Sequence, residues 1–349
     1  MKNVYDFLRK YGKEELNLET FSEADTLVFC ALSYLDIRHI IRDGESREFY
    51  DIFSLENSIS LCKIGWMPDR DFALLTVLKR TTRYKNIIVR RSKPVLRNDI
   101  STQFFAVEFL IPNVATFIIF RGTDKTFLGC VEDIRFALDQ DVGSIQIAKD
   151  YVLDALNASA NPVYLIGHSK GGTVAEVCYL RLDKEDRDRV IRVYNLDGPG
   201  TKYGVPEEML PEANAKISKF ITKRSVFGIL LKTNYNHKFI NGRAWWLTHH
   251  LVYNWEVQDK SLVRVPGPSR RSLRRRKAVD DFVSKRTNEQ LLEIIEDVEG
   301  IMKEGDLFLF KDLRLVSWFR AHVAVFKLLR SKRRWELIKF NFMCMRAFL

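Results

Sequence analysis

Apolar positions along this chain recur with two different periods. Between Ala24 and Leu35 they fall at helical spacing (Leu27, Val28, Ala31, Leu32, Leu35), and the first sixty residues as a whole read as helical and apolar. Residues 85–122 change period. The runs Asn86–Arg91 (NIIVRR) and Thr102–Ile111 (TQFFAVEFLI) lead to a turn at Pro112-Asn113 and the nearly unbroken apolar run Val114–Phe120. That pattern predicts a β-hairpin whose second arm is buried on both faces. An amphipathic stretch follows from Gly143 to Ala158, with Ile145, Ala148, Val152 and Leu156 on one side. Next come a buried strand (PVYLIG, 162–167), a helix (171–182) and a second buried strand (VIRVYNLD, 190–197), with a further strand expected within 213–226. Strands alternating with helical patterns predict βαβ units, hence an α/β fold with a mostly parallel sheet flanked by helices.

The periodicity breaks at Val265–Lys277 (VPGPSRRSLRRRK), where two prolines, a glycine and six basic residues read as a linker or exposed arm. Beyond it Leu291, Leu292, Ile295, Val298 and Met302 form a helical stripe, and 309–342 is a long basic and aromatic segment. The expected organisation is therefore a body over 1–260 with a helical opening, and a basic linker with a helical C-terminal region over 261–349.

Composition changes this picture little. Of 349 residues, 46% are apolar and 29% charged, which supplies a core and argues against wholesale disorder. No apolar run reaches the roughly 18 residues of a membrane span. The opening MKNVYDFLRKYGKEEL lacks the apolar core of a signal peptide. Five scattered cysteines without a CxxC fit reduced thiols in a cytoplasmic protein. Charge is more informative. The net +11 is uneven: 20 basic and 11 acidic residues in 261–349 leave +9 there and +2 over 1–260. A uniformly basic, polyanion-binding body is disfavoured, and the basic run lacks the companion motifs of a nucleic-acid-binding module. An amphipathic basic C-terminal region instead suggests either packing on the body or peripheral contact with an anionic membrane face.

The segment that carries chemistry is Tyr164–Thr173 (YLIGHSKGGT), a G-x-S-x-G pattern with Ser169 between Gly167 and Gly171. Five such residues are common by chance, but here a buried strand precedes them and a helix follows, the context a nucleophile elbow requires. An oxyanion there would be met by the N–H of Lys170 and by a second N–H near Thr123, in the Phe120-Arg-Gly-Thr-Asp124 loop that ends an earlier strand. In this chain order an acid and then a histidine should follow the serine. Asp183, Asp186 and Asp188 lie in a charged, solvated run, whereas Asp197 ends a buried strand and is the acid by elimination, with Glu207, Glu208 and Glu212 in reserve. His237, His249, His250 and His322 all follow Ser169. No HExxH or paired-ligand spacing calls for a metal, and no cofactor is implied.

Taken in order, FRGTD…EDI, GHSKGGTVAEV, VYNLDGPG and H-x4-W-E-V resemble the Mbeg1-like bacterial proteins, a group of the α/β-hydrolase superfamily related to the class 3 (triacylglycerol) lipases. The resemblance spans roughly residues 1–260. It implies an α/β-hydrolase fold, Ser169 as nucleophile and an oxyanion loop at Thr123. It also favours His250 over His249, because His250 stands five residues before Trp255. One departure stands out. Class 3 lipases usually carry their aspartate after the next strand, and here that region reads KFITKRSVFGILL, without one. The expected activity is hydrolysis of acyl esters, lipid esters among them, with Phe227, Ile229, Leu230, Leu231, Trp245 and Trp246 as candidate pocket walls. The alternative is a silent scaffold acting through its basic helices on a membrane or a protein.

Overall fold

A computed structural model describes residues 2–41, 45–63, 67–97, 102–123, 132, 135, 143–243, 246–304 and 335–339. Among the described residues, nine strands form one sheet in unbroken chain order: β1 (Ser46–Glu48), β2 (Ile88–Arg97), β3 (Thr102–Ile111), β4 (Ala115–Phe120), β5 (Val163–His168), β6 (Val190–Leu196), β7 (Ile217–Thr222), β8 (His237–Ile240) and, after a small β9–β10 hairpin (Val257–Gln258, Ser261–Leu262), β11 (Arg264–Val265). β4 to β8 run parallel, and the outer pairs are antiparallel. The expected hairpin is β3–β4, and Asn113 turns it with φ 57°. Asparagine tolerates that left-handed conformation better than most side chains.

Two layers of helix cover the sheet. Helices α1 (Val4–Tyr11), α2 (Glu23–Ser33) and α3 (Pro68–Leu78) pack with the inner aromatics Phe109 and Phe117 on one face. Helices α4 (Gly143–Ala158) and α5 (Lys170–Arg181) cover the other, with Ile118, Leu165 and Val193. Strands β4 and β5 are apolar on both sides because both layers cover them, which is why their sequences do not alternate.

Two expectations change. Residues 213–216 finish a short helix, Leu210–Lys216, so only Ile217–Thr222 of the expected segment is strand. The 265–277 segment is not a linker throughout. From Arg270 it is helix α6 (Arg270–Val283), capped by Ser269, whose hydroxyl accepts from the Ser272 N–H at 3.1 Å. Helix α7 (Asn288–Glu304) follows and buries Leu291 and Ile295 of the expected stripe. Most of 309–342 lies outside the described residues; within 335–339, Leu337 is buried and Glu336 pairs with Arg286 at 2.7 Å.

Candidate active site

Ser169 stands between β5 and α5 with φ 58° and ψ −133°. A non-glycine residue in that region is strained, and the surroundings must hold it there. Several contacts do. The Ser169 N–H donates to the Leu196 carbonyl at 2.9 Å, and its own carbonyl accepts from Gly172 N–H at 2.9 Å. A Cβ on Gly171 would overlap the Phe120 carbonyl, and one on Gly167 would overlap the Gly171 carbonyl. Both glycines are therefore needed for the helix to start this close to two strands.

Residues 120–123 pass over the elbow. A Cβ on Gly122 would lie 2.9 Å from Ser169 Cβ and would overlap the Tyr34 hydroxyl. Half-buried Thr123 follows it. Lys170 opens α5, so its N–H is among those a helix leaves without an intrahelical acceptor. The Lys170 side chain points elsewhere. Its buried Nζ donates to Gln103 O (2.6 Å), Gln103 Oε1 (2.8 Å) and Glu132 Oε2 (2.7 Å), anchoring the start of α5 to the start of β3. Arg121 stacks 4.2 Å over the Phe105 ring.

Asp197 and His250 meet. His250 Nδ1 is 2.8 Å from Asp197 Oδ2, and the carboxylate is fully buried. Asp197 also receives the Thr222 N–H at 3.1 Å and the Thr222 hydroxyl at 3.3 Å. Thr222 ends β7, the strand after the one that ends at Asp197. The lipase-like position for the acid thus supplies hydrogen-bond donors to an acid one strand earlier. His250 Nε2 is buried and has no hydrogen-bond partner among the described residues.

His168 links the two halves. Its ring centroid is 4.5 Å from that of His250. His168 Nε2 lies 2.7 Å from the His250 carbonyl, and Nδ1 lies 2.9 Å from the Tyr34 hydroxyl. Burial, and then the neighbouring His250, pushes its pKa well below the ordinary histidine value, so the ring is neutral. A carbonyl can only accept; the proton is therefore on Nε2, and Nδ1 accepts from Tyr34.

The other candidates are distributed elsewhere. His249 accepts from Arg224 Nη1 at 3.3 Å, and burial followed by Arg224 pushes its pKa down to about 4. His237 opens β8 and its Nδ1 lies 2.9 Å from the Tyr235 carbonyl. His322 lies outside the described residues. Glu212 is tied to Tyr179 at 2.7 Å and Arg187 at 3.0 Å. Among the pocket candidates, Phe227 stands 4.7 Å from the His250 ring; Trp245 and the side chain of Trp246 are outside the description. Sequence patterning missed Tyr34, Glu132 and Thr222, whose contacts span 134, 38 and 25 positions from His168, Lys170 and Asp197. His168 was inside the motif, but nothing in the motif's spacing reports its partners.

The family model described as Mbeg1-like matches residues 78–298. The chain belongs to the Mbeg1-like family. The match runs from the end of α3 through Ser169, Asp197 and His250, and continues through α6 and most of α7. The helical opening at 24–37 lies before it. A search among curated proteins finds no match. Among the described residues, no cluster of three histidines, cysteines or acids could hold a metal ion, and no helix is long and apolar enough to cross a membrane.

Proposed function

We propose that this Mbeg1-like protein is a serine hydrolase of α/β-hydrolase type that cleaves acyl esters, lipid esters included. The supporting observation is the His250–Asp197 pair at 2.8 Å, whose Nε2 has no partner among the described residues and whose imidazole lies 4.5 Å from the ring of His168, the residue before the strained Ser169. Asp197 accepts from Nδ1–H, which leaves the Nε2 lone pair as general base. Ser169 Oγ attacks the ester carbonyl while its proton passes to His250 Nε2. The carbonyl oxygen becomes an oxyanion, met by the N–H groups of Lys170 and Thr123 at the positively polarised start of α5. Collapse of this intermediate expels the alcohol, which takes the proton from His250. Water, activated by the same nitrogen, then releases the acid and restores Ser169. Phe227, against the imidazole, would shield the base from bulk solvent.

Fluorophosphonate labelling tests this directly. The wild-type chain should become covalently labelled and hydrolyse p-nitrophenyl esters, and Ser169→Ala should do neither. An unlabelled wild type, or equal labelling of Ser169→Ala, would leave the silent-scaffold reading in its place.

A further inference from the structure

A buried strand facing a helix has little reason to carry an asparagine, whose amide is costly to bury unless it is hydrogen-bonded. Asn195 is such a residue. It is fully buried in β6, two positions before Asp197, on the side that faces α5. Both ends of its amide are bonded. Nδ2 donates to Glu176 Oε2 on α5 at 2.7 Å, and Oδ1 accepts the Gly198 N–H at 2.9 Å. An ionised carboxylate can only accept and a backbone N–H can only donate, so the orientation of the amide is fixed. Glu176 is held in turn. Buried, it also accepts the Tyr235 hydroxyl at 2.6 Å, with Lys219 Nζ 3.9 Å away as a counter-charge.

The oxygen end of the amide sits between two turns. A Cβ on Gly172, in the first turn of α5, would lie 2.4 Å from Asn195 Oδ1. A Cβ on Gly198 would lie 2.6 Å from the same oxygen and 2.6 Å from the Ser169 carbonyl oxygen. The elbow that carries Ser169 and the turn that carries Asp197 therefore meet at this amide. Asp197 needs support there. Its φ is 56°, a left-handed value that a side chain adopts at a cost, and its carboxylate must keep its aim at His250 Nδ1. The two peptide groups that flank it are each tied down. Its own N–H donates to the Phe220 carbonyl at 2.7 Å, and the N–H of the next peptide is the one that Asn195 receives. Fixing both planes fixes φ and ψ of the residue between them.

We infer that Asn195 is a positioning residue for the proposed triad: its amide, oriented by Glu176, holds the turn that aims the Asp197 carboxylate at His250. The kinetic consequence rests on the hydrolase reading, whereas the aim of Asp197 is measurable without turnover, as the proton position on the His250 ring.

The test exchanges donor and acceptor across the Asn195–Glu176 contact. Asn195→Asp keeps an acceptor for Gly198 but sets a second carboxylate against Glu176. Adding Glu176→Gln puts a donor back opposite an acceptor at unchanged net charge. Asn195→Ala removes both bonds. In the full chain, p-nitrophenyl butyrate turnover reads kcat and KM separately, and nitrogen NMR of the histidine rings reads which nitrogen of neutral His250 carries the proton. The wild type should hold it on Nδ1. Asn195→Ala and Asn195→Asp should each lower kcat by about 100-fold with KM little changed, and should show His250 as a mixture of tautomers. The double variant should regain about tenfold or more of the lost kcat, together with the Nδ1–H tautomer. A lower melting temperature with kcat and tautomer as in the wild type makes Asn195 merely structural and overturns the inference. So does a double variant no better than Asn195→Asp, folded or not, and so does failure of both single variants to fold. If the wild type neither cleaves esters nor is labelled at Ser169, the hydrolase reading has failed and the tautomer decides alone. A mixture in Asn195→Ala, made single again by the donor–acceptor exchange, upholds the positioning role; an unchanged Nδ1–H tautomer in Asn195→Ala overturns it.

Discussion

Proton positions at the proposed site follow from which partners can only accept. Asp197 accepts from His250 Nδ1, so replacing it with asparagine offers that nitrogen an amide that can itself donate, and favours the wrong tautomer. Asp197→Asn should lower kcat by about 10⁴ while the chain folds normally, as ester turnover and circular dichroism would record. Tyr34 donates to His168 Nδ1 inside the protein. Tyr34→Phe strands a buried acceptor and should destabilise the fold by about 1–3 kcal/mol in urea unfolding. The depressed pKa values of His168 and His249 have a consequence of definite sign. Unfolded, each histidine binds a proton near pH 6.5; folded, each resists it until lower pH. Stability should therefore be greatest above pH 6.5 and fall as the solution is acidified toward pH 4, by at most about 1.4 kcal/mol per pH unit per group. Urea midpoints between pH 7.5 and 5 measure this slope. Replacing His168 with glutamine should flatten it, and an unchanged slope would contradict the assignment.

At the scale of elements, the start of α5 is held by two different means. Its backbone is pressed against β4 through Gly171, and its first side chain, Lys170, is buried in an ion pair with Glu132. Lys170→Met alone leaves Glu132 as an uncompensated buried charge and should cost about 3–5 kcal/mol. The double variant with Glu132→Gln should recover much of that loss, and a double-mutant cycle in denaturant measures the coupling. Failure of the second change to recover stability would mean that Lys170 contributes mainly by packing. The strand ends act together as well. β6 delivers Asp197 and β7 delivers its donor Thr222, so the acid is placed by a pair of neighbouring parallel strands rather than by one loop.

Over the whole molecule, the chain beyond residue 260 is part of what holds the body together. Leu262 N–H donates to Glu23 at 2.9 Å, Arg264 pairs with the same carboxylate, β11 extends the main sheet beside β8, and α6 is seated on Lys223. A chain ending at 260 should lose several degrees of melting temperature and most of its labelling, whereas one ending at 304 should keep both far better. Equal behaviour of the two truncations would show these contacts to be dispensable. The exposed basic side of α6 (Arg271, Arg274, Arg276, Lys277) also suggests salt-sensitive association with anionic vesicles. Co-sedimentation of the 304-residue chain at low and high salt tests that, with neutral vesicles as control.

The amino-acid pattern by itself determined much of this. Strands at 102–111, 115–120, 163–168 and 190–196 and the helix at 143–158 stand where apolar periodicity predicts them, because residues buried by two layers leave a local signature. Ser169 and its glycines were readable for the same reason, since a strand–turn–helix elbow is a short-range object. Asp197 could be reached by elimination, and His250 only through family likeness. Tertiary structure decided which groups those residues meet: Thr222 on Asp197, Tyr34 on His168, Glu132 on Lys170, and Lys223 under the start of α6, a helix in a segment that reads locally as a solvated arm. Hydrogen bonds and buried charges depend on positions dozens to more than a hundred residues apart, and nothing in local spacing encodes that distance. The hydrophobic period tells a chain which face is in; only folding determines what it faces.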